Sequence, residues 1–296
     1  MFLKNKIIKN MKKILSIVTI ALYANISNGQ AVENNLVNFR FGLKITPSIN
    51  WDKPEGKILE GNGARAKFGG GLILEFRLAK TISIQTGAQI DLEGCNIKFN
   101  NGSLTNVGNN SVSYYYNISD DAIVKYSNDY YGSGQYIHYQ VNERKYNITY
   151  ITIPLTLKMK TKEIGSFTYY GQIGVNSSFR WKATADDKVT LIQDGTANVQ
   201  TLGTTDTKSN IEISKDVRPI HETLNLGLGA EFNLSGTTSL TFGLNYILGF
   251  TNVVKNESEY LKRYVADGGN YSPNNLSNLP QTLKSNAVVL TVGVLF

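Results

Sequence analysis

The chain has 296 residues, of which 41% are hydrophobic and 18% charged, with 27 glycines, 17 tyrosines and a formal charge of +7. That length suits one large β domain or two ordinary ones, and abundant Gly and Tyr favour turns and half-exposed strands over helical bundles. No apolar run reaches the roughly 18 residues that a spanning helix needs, which excludes helical membrane proteins.

The first element is a targeting segment. Lys12 and Lys13 precede an apolar run from Ile14 to Ile26, followed by Ser27-Asn28-Gly29-Gln30. A basic region, an apolar region and a small-residue end make a secretory signal peptide, expected over residues 1–29 with cleavage after Gly29. Met11 is an alternative start, since Met11-Lys12-Lys13 opens a signal of ordinary length. Removing residues 1–29 takes away five lysines and no acid, which lowers the formal charge from +7 to +2. The basicity is therefore mostly targeting signal and argues nothing for nucleic acid. The single cysteine, Cys95, cannot form an internal disulfide. An exported chain without disulfides needs another source of stability, and a closed barrel supplies one.

Eight segments then alternate with period two, the mark of strands with one apolar face. The first, Phe39 to Trp51, sets Phe39, Phe41, Leu43 and Ile45 against Arg40, Gly42, Lys44 and Thr46. The second, Arg65 to Leu78, sets Phe68, Leu72, Leu74 and Phe76 against Lys67, Glu75 and Arg77. The third runs from Ile82 to about Glu93, the fourth from about Tyr146 to Lys160, and the fifth from Phe167 to Trp181. The sixth runs from about Glu222 to Leu234, the seventh from Thr238 to Phe250. The eighth is the chain end, Ala287 to Phe296, where Val288, Leu290, Val292, Val294 and Phe296 share one face.

The connections sort by length. Short links follow the second, fourth and sixth segments: Ala79-Lys80-Thr81, a turn through Gly165, and Ser235-Gly236-Thr237. Long ones follow the odd segments: Asp52–Ala64, Gly94–Lys145, Lys182–His221 and Thr251–Ser285. Strict alternation predicts an all-β fold: an eight-stranded antiparallel up-and-down transmembrane β-barrel over residues 30–296, with both termini inside and long outer loops. Aromatic residues fall at both strand ends. Trp51, Phe68, Trp181 and Phe250 mark the long-loop side, and Phe39, Phe76, Phe167, Phe232 and Phe296 the short-turn side, as two interfacial belts.

Recognition is expected in the loops. Gly94–Lys145 holds eight of the tyrosines, including Tyr114, Tyr115, Tyr116, Tyr130 and Tyr131. Tyrosine suits wet interfaces, so these five are candidates for contact with a glycan or a protein; the alternative is that the flanking strands continue above the membrane and the rings pack there. Asp194-Gly195 between two alternating runs predicts an extramembrane hairpin, and Ser272-Pro273-Asn274-Asn275 an irregular loop.

Chemistry is sparsely signalled. The two histidines are His221, at the outer rim beside Glu222, and His138, in the tyrosine-rich loop. No Gly-x-Ser-x-Gly elbow accompanies them, so no catalytic residue is expected. Gly69-Gly70-Gly71 lacks the Gly-Lys-Ser/Thr of a phosphate loop and reads as a bend or a tight backbone contact. No Cys/His spacing suits a metal, Asp120-Asp121 lacks the other calcium-loop ligands, and no cofactor is expected. The inward parity collects Arg40, Lys44, Lys67, Glu75, Arg77, Asp91, Glu93, Lys158, Arg180 and Glu231. Eight strands leave a lumen just filled by side chains, so these charges are expected to pair, with Lys44, Glu75, Arg77, Asp91, Arg180 and Glu231 in a lumen network. A narrow polar pore is the other reading.

The Gly29-Gln30 signal end, the first strand Phe41-Gly42-Leu43-Lys44, the Tyr150-Ile151-Thr152-Ile153-Pro154-Leu155 strand and the terminal Phe296 resemble the PorT-like outer-membrane β-barrels of Bacteroidota. The resemblance implies residence in a Gram-negative outer membrane, in contact with its lipid. It also implies insertion by the outer-membrane assembly machinery through the aromatic end strand, and for some members a role beside the type IX secretion system. The expected task is binding of a partner protein or surface ligand by the outer loops, without catalysis; a narrow pore or an outer-rim enzyme are the alternatives.

Overall fold

The computed structural model describes residues 39–101, 111–125, 127, 135–193, 200–264 and 276–296. The expected signal peptide therefore lies outside the described residues. Among those residues there are seventeen strands and no helix. The first nine are β1 (Phe39–Ile45), β2 (Ser48–Glu55), β3 (Leu59–Gly61), β4 (Arg65–Lys67), β5 (Gly69–Ala79), β6 (Ile82–Glu93), β7 (Asn96–Phe99), β8 (Val112–Asn117) and β9 (Ala122–Val124). They are followed by β10 (Tyr136–Lys160), β11 (Phe167–Gln193), β12 (Gln200–Glu212), β13 (Ile220–Ser235), β14 (Thr238–Gly249), β15 (Glu257–Tyr264), β16 (Leu276–Pro280) and β17 (Thr282–Leu295).

The wall is a closed antiparallel ring. β1 pairs with β5, β5 with β6, β6 with β10, β10 with β11, β11 with β13, β13 with β14, and β14 with β17. β17 closes on both β1 and β2, with Gly42 opposite Leu295 and Asn50 opposite Ala287. β1 and β2 are one wall strand broken at Pro47, which has no N–H to give; its carbonyl still accepts from Leu290 N at 2.9 Å. β4 and β5 are likewise one strand interrupted at Phe68, so the ring has the eight wall strands read from the sequence.

Side chains alternate across this wall as the period-two pattern requires. Phe41, Leu43, Leu72, Leu155, Leu228 and Leu244 are exposed on the outside, while Arg40, Glu75, Lys158 and Glu231 are buried within. An apolar outer band over a polar interior is the arrangement lipid demands. Both aromatic belts are present. Phe39 packs on Phe76 with centroids 5.1 Å apart, Phe167 on Phe232 at 5.0 Å and Phe41 on Phe296 at 5.5 Å at the short-turn end. Trp51 meets Tyr246 at 6.2 Å toward the other end.

Two strands run well past the segments the sequence delimited. β10 has 25 residues and β11 has 27, whereas crossing a membrane takes about 9–11. Their continuous pairing, from Lys160 opposite Tyr170 to Tyr139 opposite Leu191, carries the wall into the long-loop side. There β3, β7, β8, β9, β12, β15 and β16 assemble around it, and the apolar core of the molecule lies here rather than in the barrel. Cys95, Ile97, Val112, Tyr146, Ala185, Ile211, Val253, Leu261 and Leu279 are buried together. The expected hairpin in the third long loop is β11–β12, with Gln193 opposite Gln200; its Asp194-Gly195 turn and the irregular Ser272–Asn275 segment lie outside the described residues.

Candidate functional site

The interior is organised in three levels, each built by inward residues of successive strands. At the short-turn end, Arg40 Nη2 donates to Glu75 Oε1 at 2.9 Å and to Glu231 Oε2 at 2.8 Å, and Nη1 to Ser239 Oγ at 3.2 Å. Lys158 Nζ reaches Glu231 Oε1 at 2.5 Å and Glu75 Oε2 at 3.5 Å; Lys160 Nζ reaches Glu75 Oε1 at 2.5 Å and Glu231 Oε1 at 2.9 Å. Lys158 Nζ also lies 3.9 Å from the centroid of the Tyr170 ring. Three cations thus share two carboxylates in a knot that spans five wall strands. Each charge is largely stripped of water and held mainly by the others, with Ser239 and Tyr170 as neutral supports, so the knot is mutually dependent.

Above the knot is a polar chamber with about 70 Å³ of free space, lined by Lys44, Gln89, Asp91, Glu93, Asn176 and His221 among others. Above the chamber the apolar core begins, with Tyr150, Ile148 and Tyr146 on β10 and Leu283 on β17. The lumen is therefore closed twice, by charge below and by packed side chains above.

The expected lumen network divides across these levels. Glu75 and Glu231 form the knot. Lys44 and Asp91 line the chamber, where their fields reach each other. Arg180 sits at the outer rim, donating from Nη1 to Val217 O at 2.8 Å. Arg77, half-buried beyond the knot at the end of β5, makes no ion pair with the described residues. A single six-membered network is thus corrected to a knot centred on Arg40, Lys158 and Lys160, because a ring of tilted strands places charges several residues apart on different levels. Lys160 and Tyr170 were missed, although both follow the inward parity of their strands.

The expected tyrosine surface is also corrected. Tyr114, Tyr115 and Tyr116 are only 1%, 2% and 5% exposed. β8 pairs with β9, β10 and β15 and so is an interior strand, covered on both faces. Tyr114 and Tyr116 pack with Tyr139 in the apolar core, and Tyr115 stacks on His138 with centroids 4.2 Å apart. Burial pushes the Tyr114 hydroxyl well above its ordinary pKa, with Asp187 adding to the rise and Arg144 opposing it. Tyr130 and Tyr131 lie outside the described residues. Phe296, expected to carry the insertion signal, ends the closing strand, and its N–H donates to Phe41 O at 2.8 Å.

What the outer assembly presents instead is the tip of the β8–β9 hairpin. Asn117 Oδ1 accepts from Ser119 N at 2.9 Å, Asn117 Nδ2 donates to Asp120 Oδ2 at 2.7 Å, and the Tyr116 hydroxyl bonds Asp121. This pinned turn holds Ile118 out at 52% exposure.

None of the curated proteins compared matches the chain. Among solved structures it is similar to Neisserial surface protein A (10% identity, 87% of this chain and 96% of that one, TM-score 0.35). It is also similar to OprG from Pseudomonas aeruginosa (11% identity, 87% and 95%, TM-score 0.38) and to Ail of Yersinia pestis (10% identity, 88% and 100%, TM-score 0.33). The family described as "Outer membrane protein beta-barrel domain" matches residues 24–255, most of the chain. With its closed eight-stranded ring and apolar outer band, this protein belongs to the outer membrane protein beta-barrel domain family.

Proposed function

We propose that this protein is a non-conducting, non-catalytic barrel that binds a partner protein or a surface ligand through the structure raised on its outer side. One observation carries this reading: the lumen is closed at two levels, while β10 and β11 continue outward into an assembly with its own apolar core. A conduit needs an open lumen, whereas a docking platform needs a rigid outer body. The exposed Ile118, held on a hydrogen-bonded turn, is a suitable contact point, since interface energy concentrates on a few well-held apolar side chains. Within this reading, the resemblance of Tyr150–Leu155 and the terminal strand to PorT-like barrels favours an accessory of protein secretion in a Gram-negative bacterium of the Bacteroidota.

The test is to purify the tagged protein from its native outer membrane in mild detergent and identify co-purifying chains by mass spectrometry. A stoichiometric partner that is lost in Ile118→Asp, with the barrel still folded, is the expected result. A solitary barrel that conducts ions in a planar bilayer would overturn the reading in favour of a narrow pore.

A further inference from the structure

The chamber between the knot and the outer core is unbalanced in two independent ways. The first is charge. Of the charged residues lining it, Lys44 is the cation and Asp91 and Glu93 are the carboxylates, while the knot's three cations are not among its lining residues. One cation against two carboxylates leaves the lining with an excess of acidic groups. Glu93 is in no ion pair among the described residues.

The second is hydrogen bonding. Seven polar atoms of chamber-lining residues are buried and lack a partner: Thr46 Oγ1, Asn50 Oδ1, Gln89 Oε1, Asn176 Oδ1, Asn225 Oδ1, Asn286 Oδ1 and His221 Nε2. Asn50 is 2% exposed and His221 0%. Amide oxygens only accept. His221 follows the same sign. Its Nδ1 lies 3.0 Å from Thr251 Oγ1, which accepts from Glu222 N at 2.8 Å and donates its own proton to Glu222 O at 3.3 Å. In the tautomer that keeps this arrangement, Nδ1 donates to Thr251 and Nε2 is left as a bare lone pair. Buried acceptors without donors are costly. Six acceptors beside an unpaired carboxylate all call for a positive guest.

We infer that the chamber binds one small monovalent cation, either an alkali ion or the ammonium head of a small amine, held by Glu93 and the surrounding amide oxygens. About 70 Å³ admits such a guest together with a few waters. A divalent ion fits less well, because it draws on several carboxylates or histidines at once. No group of three such residues is placed to hold a metal among the described residues.

The test uses the full folded protein in detergent, dialysed into tetramethylammonium chloride, whose ion is too large for the chamber and donates no hydrogen bond. Sodium, rubidium or methylammonium chloride then replaces it at equal ionic strength. Thermal unfolding is followed, and bound rubidium is measured after gel filtration. The expected result is a higher unfolding temperature with the small cations and one rubidium per chain, with affinity about tenfold weaker or worse in Glu93→Gln. Asp91→Asn is the second variant: it frees Lys44 to neutralise Glu93 from within and should abolish the response. An effect of sodium and rubidium alone identifies an ion site, and of methylammonium alone an amine site; both support the inference. Equal unfolding in all four salts, or an undiminished response in both variants, overturns it.

Discussion

Arg144 and Asp187 stand opposite each other on β10 and β11, joined by Nε to Oδ1 at 2.8 Å and Nη2 to Oδ2 at 2.7 Å, with both side chains wholly buried in the outer assembly. Burial alone would lower the guanidinium pKa, but the charge and paired hydrogen bonds of Asp187 raise it, so Arg144 stays charged at any working pH. Arg144→Met strands a buried carboxylate and should destabilise the outer assembly by about 3–5 kcal/mol, whereas the double change Arg144→Met, Asp187→Leu should recover most of that loss. Limited proteolysis of the outer segments, with the barrel band intact on a cold gel, reads both.

The knot of three cations on two carboxylates predicts an asymmetry. Lys160→Met leaves two cations facing Glu75 and Glu231 and should cost little. Glu231→Gln leaves three cations facing one carboxylate and should destabilise the barrel by about 3–5 kcal/mol. Thermal unfolding in detergent compares the two directly.

Gly71 lies on β5, opposite Gln89 of β6. A Cβ there would lie 2.2 Å from Ala88 O and 2.4 Å from Gln89 Cα, both backbone atoms of the next strand. Gly71→Ala should therefore cost about 1–3 kcal/mol and slow refolding into detergent micelles. By contrast, Gly171→Ala meets nothing within 4 Å and should refold like the parent.

One contact should respond to acid. Glu259 is held from 4.5 down to about 2 by hydrogen bonds from Lys125 and Lys255, each at 2.7 Å. A depressed pKa contributes above its unfolded value, so this tie is complete above about 4.5 and is lost as pH falls through about 2. Hydrogen-exchange protection in β9, taken relative to the intrinsic rate at each pH, should be unchanged between pH 7 and 5 and fall below pH 4.5. Glu259→Gln should show the faster exchange throughout, and added salt should weaken the effect because the pair is exposed.

The barrel was legible in the sequence because its signal is local: Phe39 to Ile45 and Leu224 to Leu234 alternate without interruption, and lipid outside fixes which parity is apolar. The Gly69–Gly71 run was legible too, as a close backbone approach. For residues 94–145 two readings stayed open, a tyrosine surface or rings packed on strands that continue outward, and the second holds for Tyr114 to Tyr116. Tyr114 to Tyr116 are apolar enough to be core and polar enough to be surface, and what decides is the pairing of β8 with β15, more than a hundred residues away. The knot was half legible: parity put Arg40, Glu75, Lys158 and Glu231 inside, but strand tilt determined that Lys160 belongs with them and Arg77 does not.

The outer core draws Leu59, Ile97, Val112, Ile211, Val253 and Leu279 from four different connections between wall strands. None of these pieces can bury its apolar side chains against its own neighbours in sequence. All four connections lie on the long-loop side, so this core forms only where they meet. Within it the β8–β9 and β11–β12 hairpins pair locally, whereas the contacts that join β8 to β10 and β15 are long-range. A variant defective in this packing would thus leave an inserted, heat-modifiable barrel with a frayed exterior rather than a failed insertion.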